Sequence, residues 1–507
     1  MRIRPALLVA TFFASPALTG RAMLEAQQAS PYVPLSHWAT PYLEHLIARG
    51  AIPDPSPLTR PFVQADVVRV LSDVDTTRLN GPEQEVARRI LAALGRPGAA
   101  SRPWVRVDGE AAASGASHAR RDPLRPAGPG HATAAGGLAV QALFGPLALV
   151  THPYFDTRLK YDPDYDGKKD RIVAGRNAEA YLDARWRFGE LFFGSLDRNW
   201  GPPQLEGLIL SPSPYSYDHL ALSLGTRRLQ LQGILTQLDD LPDTSGTVNH
   251  RYFVAHRLLW RPSTRTALGL WEGEMAAGPA RTLEPWFANL LNLGLLVEYD
   301  RNANVNSLLG LDVESRLHGL KLFAQVLLDD IQIDRKTQAD REPPSYGLTL
   351  GAETVLGGAV VTGYYTQVAN LTYRTPNPAE AVETRNVGLG RNFSDYDQLT
   401  LRAGLLAGPG VLIRPEVTLL RQGKGDFRSP YPPVSAYGTT PTLFAGVVER
   451  TVRLALGADW QRGAWGLSGN GGVHFIHNAG HVTGASVTKW VGRLTLAYRF
   501  HVEGVLQ

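Results

Sequence analysis

The sequence predicts a mainly β protein, an 18-stranded antiparallel transmembrane β-barrel preceded by a small α-helical segment. Three observations carry this. From about residue 99 onward, apolar positions recur with a period of two, the mark of strands with one greasy face. Short turns bearing Gly or Pro alternate with long polar loops along the same stretch. Past the N-terminus no run of about 18 apolar residues occurs, so spanning helices are excluded. A mean hydropathy of −0.15 fits a barrel, because each strand divides its residues between lipid and lumen.

Composition removes several classes of function. The 507 residues contain no cysteine, which excludes thiol catalysis, disulfide scaffolds and cysteine-based zinc sites. A content of 44% hydrophobic and 19% charged residues is too apolar for a disordered chain. The net charge of +4 is too small and too dispersed to argue for nucleic acid. Lysine is scarce, so the positive charge rests almost wholly on arginine.

Residues 1–29 have the layout of a secretory signal peptide. A basic Met1-Arg2-Ile3-Arg4 start is followed by an apolar stretch from Pro5 to Ser15. Cleavage after Ala22 and cleavage after Ala29 both fit. Residues 30–98 read as a helical segment. Its first helix starts at Thr40-Pro41, with Thr40 as cap, and stops at Gly50. A second runs from about Pro61 to Asp73, and a third from Gly81-Pro82 to Gly95. Three short helices bury little surface alone, so they should pack on something else.

Residues 99–507 form the barrel. Its last strand shows the alternation best: Trp490, Gly492, Leu494, Leu496, Tyr498 and Phe500 share one face, and Val491, Arg493, Thr495, Ala497 and Arg499 the other. The pattern predicts that this strand ends at Phe500. Val452, Leu454 and Leu456, and likewise Leu399, Leu401 and Leu405, form apolar faces of the same kind. Short turns fall near Gly145-Pro146, Gly189, Thr226–Arg228, Arg261–Thr264, His318-Gly319, Gly357-Gly358, Gly408–Gly410 and Arg462-Gly463. Nine long loops separate the hairpins. With both chain ends on the short-turn side, this alternation requires 18 strands. Short turns in the periplasm and long loops outside make the outer-membrane pattern, which puts the helical segment in the periplasm.

The most distinctive sequence is Arg185-Trp186-Arg187-Phe188-Gly189, then Asp197-Arg198-Asn199-Trp200-Gly201-Pro202-Pro203, Leu208-Ile209-Leu210-Ser211, and the stretch from His219 to Arg228. With the earlier Gly50-Ala51-Ile52 and Pro57-Leu58-Thr59 steps, these residues resemble the Wzi-type capsule assembly family over nearly the whole mature chain. The resemblance implies an 18-stranded outer-membrane barrel with a periplasmic helical bundle. It also implies a lectin-like role, holding or organising surface polysaccharide. The chain is accordingly read as a non-enzymatic barrel that anchors capsular or other exported polysaccharide at the cell surface, with outer-membrane lipid and the export machinery as expected partners; a barrel enzyme acting on lipid or glycan is the weakest reading. No glycan-binding residues are carried over from it.

Candidate glycan contacts come instead from the loops. Sugar C–H faces pack on aromatic rings while Arg, Asn and Asp bond the hydroxyls. Arg198, Asn199 and Trp200 are the compact version of this, and Tyr215, Tyr217 and Trp286 are further candidates. The competing reading is that Arg198 and Trp200 pin a loop or a lumen network. Inward positions carry both signs of charge, with Asp183, Arg185, Arg187, Asp312 and Glu314 as the predicted lumen network. Arginine suits anionic partners, but Arg–carboxylate pairs also simply fill barrels. Asp162, Asp164 and Asp166 match the front half of a calcium loop, although Val173 stands where the bidentate Glu belongs. No other metal and no cofactor is expected. Neither a phosphate-cradling glycine loop nor a Gly-x-Ser-x-Gly elbow is present. The alternative function is a porin or solute channel, because a barrel this wide conducts unless something plugs it.

Overall fold

The computed structural model describes residues 29–95, 103–171, 173–243, 245–330 and 337–505. The signal-peptide reading, apart from Ala29, and the boundary at residue 98 lie outside the described residues.

Eighteen strands close into one antiparallel barrel in chain order. They are β1 (Trp104–Ala116), β2 (His131–Phe144), β3 (Leu147–Asp156), β4 (Ala174–Trp186), β5 (Gly189–Ser195) and β6 (Asp218–Gly225). There follow β7 (Leu229–Pro242), β8 (Val248–Ser263), β9 (Thr266–Gly278), β10 (Asn306–Leu317), β11 (Leu320–Asp330) and β12 (Ser345–Leu356). The barrel is completed by β13 (Ala359–Val368), β14 (Tyr396–Gly408), β15 (Val411–Gln422), β16 (Glu449–Arg462), β17 (Trp465–His477) and β18 (Ser486–Val505). The strand number and all eight short turns agree with the sequence. Residues 318–319 and 357–358 have positive φ at both turn positions, the requirement of a two-residue hairpin that follows strand twist. His318-Gly319 and Gly357-Gly358 meet it at little steric cost.

The last strand differs from expectation. It does not stop at Phe500 but continues to Val505, because β1 begins early enough, at Trp104, to pair with it. The outer wall is apolar as the alternation requires: Leu399, Leu401, Val452, Leu454, Leu456, Leu494, Leu496 and Phe500 are all exposed. Trp465 and Tyr498 pair edge-to-face on that wall near the short turns, with centroids 5.0 Å apart. Aromatics at this level are what a bilayer interface selects.

The helical segment comprises α1 (Thr40–Ala48), α2 (Gln64–Ser72) and α3 (Gly81–Leu94). Thr40 lies inside α1 rather than capping it; Ala39 occupies the cap, and the Thr40 hydroxyl bonds the Pro34 carbonyl at 3.1 Å. α2 starts three residues later than expected, because Phe62–Val63 is extended and pairs with Tyr32–Val33. α3 opens with a reciprocal cap: Asn80 accepts from the Glu83 N–H, and Glu83 accepts from the Asn80 N–H. The apolar faces, Leu43, Leu46, Ile47, Val67, Leu71, Val86 and Ile90, form one core with Leu406 and Leu412 of the barrel.

That core seats the segment on the short-turn end. The Tyr42 hydroxyl donates to the Gly410 carbonyl at 2.9 Å, Arg316 donates to Ile47 at 3.0 Å, and Arg261 donates to Pro55 at 3.2 Å. Arg60, buried, grips Glu44 at 2.6 Å and Asp54 at 2.9 Å.

Acid should loosen this seat. Burial lowers the His45 imidazole from 6.5 to about 4. A released segment therefore takes up a proton near pH 6.5 that the docked segment refuses until about pH 4. Docking is thus favoured above pH 6.5 and weakens as the pH falls through that window. Asp54 acts in the same sense at lower pH. Burial pushes its carboxyl up, but Arg60 and Lys321 outweigh that and hold it below the usual 3.8. The expected result is increasing protease release of the segment between pH 6.5 and 4, followed also by Trp38 fluorescence, with a flatter profile in His45→Gln. Equal profiles for the two proteins would refute the assignment to His45.

Candidate functional site

Protein enters the lumen from both ends. The loop from 196 to 217, between β5 and β6, runs inward rather than outward. Its Asn199–Trp200 pairs as a short antiparallel ladder with Thr59–Arg60 of the helical segment. Leu208, Ile209 and Leu210 behind it are buried. The loop from 369 to 395, between β13 and β14, folds in to meet it. The Tyr373 hydroxyl donates to the Leu208 carbonyl at 2.6 Å, and the Ser211 N–H to the Leu389 carbonyl at 2.8 Å. Arg251 on β8 holds this second loop through the carbonyls of Ala379 at 2.7 Å and Ala381 at 2.8 Å. Together with Phe192, Phe253, Trp271 and Met275 of the wall, the two loops make a packed apolar core inside the barrel.

A polar hub ties that core to the wall. Asp312, fully buried, accepts from Arg257, from Trp271 Nε1 at 2.9 Å and from Gln325 Nε2 at 2.7 Å. Gln325 also donates to the Trp200 carbonyl at 2.9 Å and accepts from the Leu208 N–H at 2.9 Å. Glu314 pairs with Lys321 at 3.2 Å. Asp183 and Glu190 clasp Arg185 at 2.6 and 3.0 Å. Four of the five predicted network residues therefore face inward. Arg187 does not: β4 ends at Trp186, so Arg187 falls in the two-residue turn and lies exposed over the Phe188 ring.

The aromatic and arginine candidates separate in the same way. Arg198, Asn199 and Trp200 are placed within the lumen rather than in an outer loop. Arg198 stacks on Phe192 at 4.4 Å and donates to His219 at 2.7 Å, while Asn199 accepts from the Gly207 N–H at 2.6 Å. These contacts are those of a pinned loop. Tyr217 is half-buried, its ring 5.8 Å from that of His219. Trp286 lies outside the barrel altogether, under Arg301 at 4.2 Å.

Tyr215 stands at the long-loop mouth, half-buried among three arginines. Arg121 and Arg176 lie over its ring at 4.2 and 4.9 Å, and Arg158 donates to its hydroxyl at 3.0 Å. Burial pushes the phenol up to about 12, so it stays a donor, to Asp162. Arg121 is held by the Ser213 carbonyl and Arg176 by the Ser216 hydroxyl; among the described residues neither has an ion-pair partner. Next to them Arg120, Arg125 and Arg428 surround the Phe393 ring at 5.3, 4.4 and 5.4 Å. Sequence reasoning chose the loop aromatics but missed these cations. The available signal was the Arg120-Arg121 pair followed by Arg125 in the first long loop.

The aspartates of the supposed calcium loop belong to this mouth. Asp162 is buried against Arg158 and Tyr215, Asp164 pairs with Arg120 at 3.0 Å, and Asp166 points to solvent. Guanidinium groups neutralise the two inner carboxylates, and the third does not converge with them.

No family model matches the chain, and no curated protein matches its sequence. Among solved structures the chain is similar to Wzi of Escherichia coli, an outer membrane protein involved in group 1 capsule assembly and a carbohydrate-binding β-barrel. The TM-score is 0.63 and the identity 14%, over 94% of this chain and 100% of that one. OpdK of Pseudomonas aeruginosa aligns with a TM-score of 0.46 and 14% identity, over 79% of this chain and 99% of its own. OprD of the same organism aligns at 0.45 and 11%, over 79% and 96%. The closed 18-stranded barrel with its helical cap thus has the fold of the Wzi barrel over the length of both chains.

Proposed function

We propose that this chain is an outer-membrane barrel that binds exported polysaccharide at its long-loop mouth and holds it at the cell surface. The observation that carries the reading is the obstructed lumen: the helical segment occupies one end, and two inward loops pack an apolar core against the β3–β15 side of the wall. A barrel whose interior is an apolar core is built to present a surface. The surface at the mouth combines a tyrosine ring with arginines that lack carboxylate partners, which suits sugar rings carrying acidic groups. The carbohydrate binding of Wzi, a barrel of the same fold, agrees with this. The apolar outer wall and its aromatic pair support residence in the outer membrane.

The test has two parts. Deletion of the gene is expected to move polysaccharide from the cell-bound to the released fraction, and an Arg121→Ala/Arg176→Ala chain is expected to restore retention poorly. A charge-assisted hydrogen bond is worth about 1.5–3 kcal/mol. Each substitution should therefore weaken binding of the released polysaccharide roughly tenfold or more, with weaker binding also at high salt. Purified protein in planar bilayers is expected to give no large stable conductance. Equal retention by the double variant, or large open channels, would return the chain to the porin alternative.

A further inference from the structure

The loop between β9 and β10 does not stand out from the mouth; it turns back down the outside of the barrel. It carries two short helices, α4 (Pro285–Ala288) and α5 (Gly294–Arg301). Phe287 and Val297 pack beneath them on Val254 and Ala276 of the outer wall. Two glycines allow the close approach. A Cβ on Gly233 of β7 would lie 2.0 Å from Leu290, and one on Gly294 would lie 1.7 Å from the Glu274 carboxylate.

The depth of this contact matters. Gly233, His256 and Glu272 stand side by side on neighbouring strands. Glu272 is six residues below the end of β9 at Gly278, about 20 Å along the strand. Its neighbour on the same outward face, Leu270, is 61% exposed and belongs to the apolar wall. The loop therefore covers wall that its neighbours leave bare at the same height.

What it covers is polar. Outward-facing His256 and Glu272 bond each other at 3.0 Å, and Glu272 accepts the Gly294 N–H at 2.9 Å. Glu274, 1% exposed, has both carboxylate oxygens unpartnered. Acyl chains do not tolerate such a stripe. The loop turns large apolar side chains outward, Leu291 at 83% exposed, Tyr299 at 78% and Leu293 and Leu296 at 60% each, with the polar Asn289, Asp300 and Arg301 exposed beside them. Just below the covered stretch, Leu258, Leu270 and Leu311 stand side by side as exposed apolar wall.

We infer that the loop around α4 and α5 is embedded in the outer leaflet. It offers Leu291, Leu293, Leu296 and Tyr299 to lipid acyl chains and shields His256, Glu272 and Glu274 from them. The inference rests on the outer-membrane placement of the barrel and adds to it a lipid-contacting element that is not a strand.

The cysteine-free chain suits a direct test. Single cysteines are placed in the full-length protein as Leu293→Cys and Leu296→Cys in the loop. Leu270→Cys on the wall and Val482→Cys in an outer loop serve as references. Each is spin-labelled and reconstituted in phosphatidylcholine vesicles, and its collision rates with oxygen and with a water-soluble nickel chelate are compared. The labels at 293 and 296 are expected to match that at 270, with at least tenfold preference for oxygen. Labels that behave like the one at 482 overturn the inference, while the wall label still supports the barrel's placement. Labels shielded from both quenchers overturn it in favour of a second protein chain. A wall label that also favours the nickel chelate defeats the membrane placement itself.

Discussion

Asp312→Ala is expected to destabilise the barrel by about 3–5 kcal/mol, the cost of removing one partner from a buried ion pair. The reason is the number of donors that converge on this one carboxylate. Arg257, Trp271 and Gln325 all point at it from three strands, β8, β9 and β11. Alanine leaves a guanidinium and an indole N–H facing a dry space. Gln325 also holds the backbone of the inward loop at Trp200 and Leu208, so loosening it frees the plug. Urea titration, followed by heat-dependent migration in detergent gels, measures the loss. Asp312→Asn keeps an acceptor and should recover part of it. Alanine at this site with unchanged urea resistance would show that water enters and satisfies the donors.

Arg60→Met should have a comparable effect at the short-turn end, again about 3–5 kcal/mol, but confined to the docking of the helical segment. Arg60 donates to Glu44, to Asp54 and to the carbonyls of Ser56 and Thr59. It is therefore the clamp of the turn that carries Leu58 and Thr59 into the lumen, where Thr59–Arg60 meets Asn199–Trp200. Methionine keeps the unbranched apolar stem but removes the guanidinium, which leaves the Glu44 and Asp54 carboxylates without their shared donor. Limited proteolysis should release residues 30–95 of the variant while the strands stay intact. A strand core that melts together with the segment would contradict that separation.

Much of the fold was legible because a strand wall obeys a local rule. Leu399, Leu401 and Leu405 stand outward for no reason beyond period and lipid, and Gly357-Gly358 turns because two positive φ angles are needed there. The placement of the site follows no local rule. Arg198-Asn199-Trp200 has the composition of a sugar-binding loop and also that of a lumen plug. Its position in the lumen is set by Thr59–Arg60, some 140 residues away in the chain, and by Tyr373, which bonds Leu208. Arg187 departs from the expected network for a smaller reason: β4 ends one residue before it, which moves the side chain from lumen to turn. Tyr215 is a candidate because an aromatic in a long loop is itself a signal, while the arginines over its ring come from the first long loop and from β4, a convergence that only the fold brings about.

The extension of the last strand beyond Phe500 bears on how the molecule is assembled. The final five rungs of its pairing, His501 to Val505, lie against Asp108 to Trp104. That stretch of β1 includes Arg106, which donates to the Ala93 carbonyl near the end of α3. The zipper that shuts the cylinder is therefore the same zipper that clasps its stopper. A chain cut after Phe500 keeps enough rungs to close a ring, but Arg106 then reaches Ala93 from a stretch of β1 that is paired on one side only.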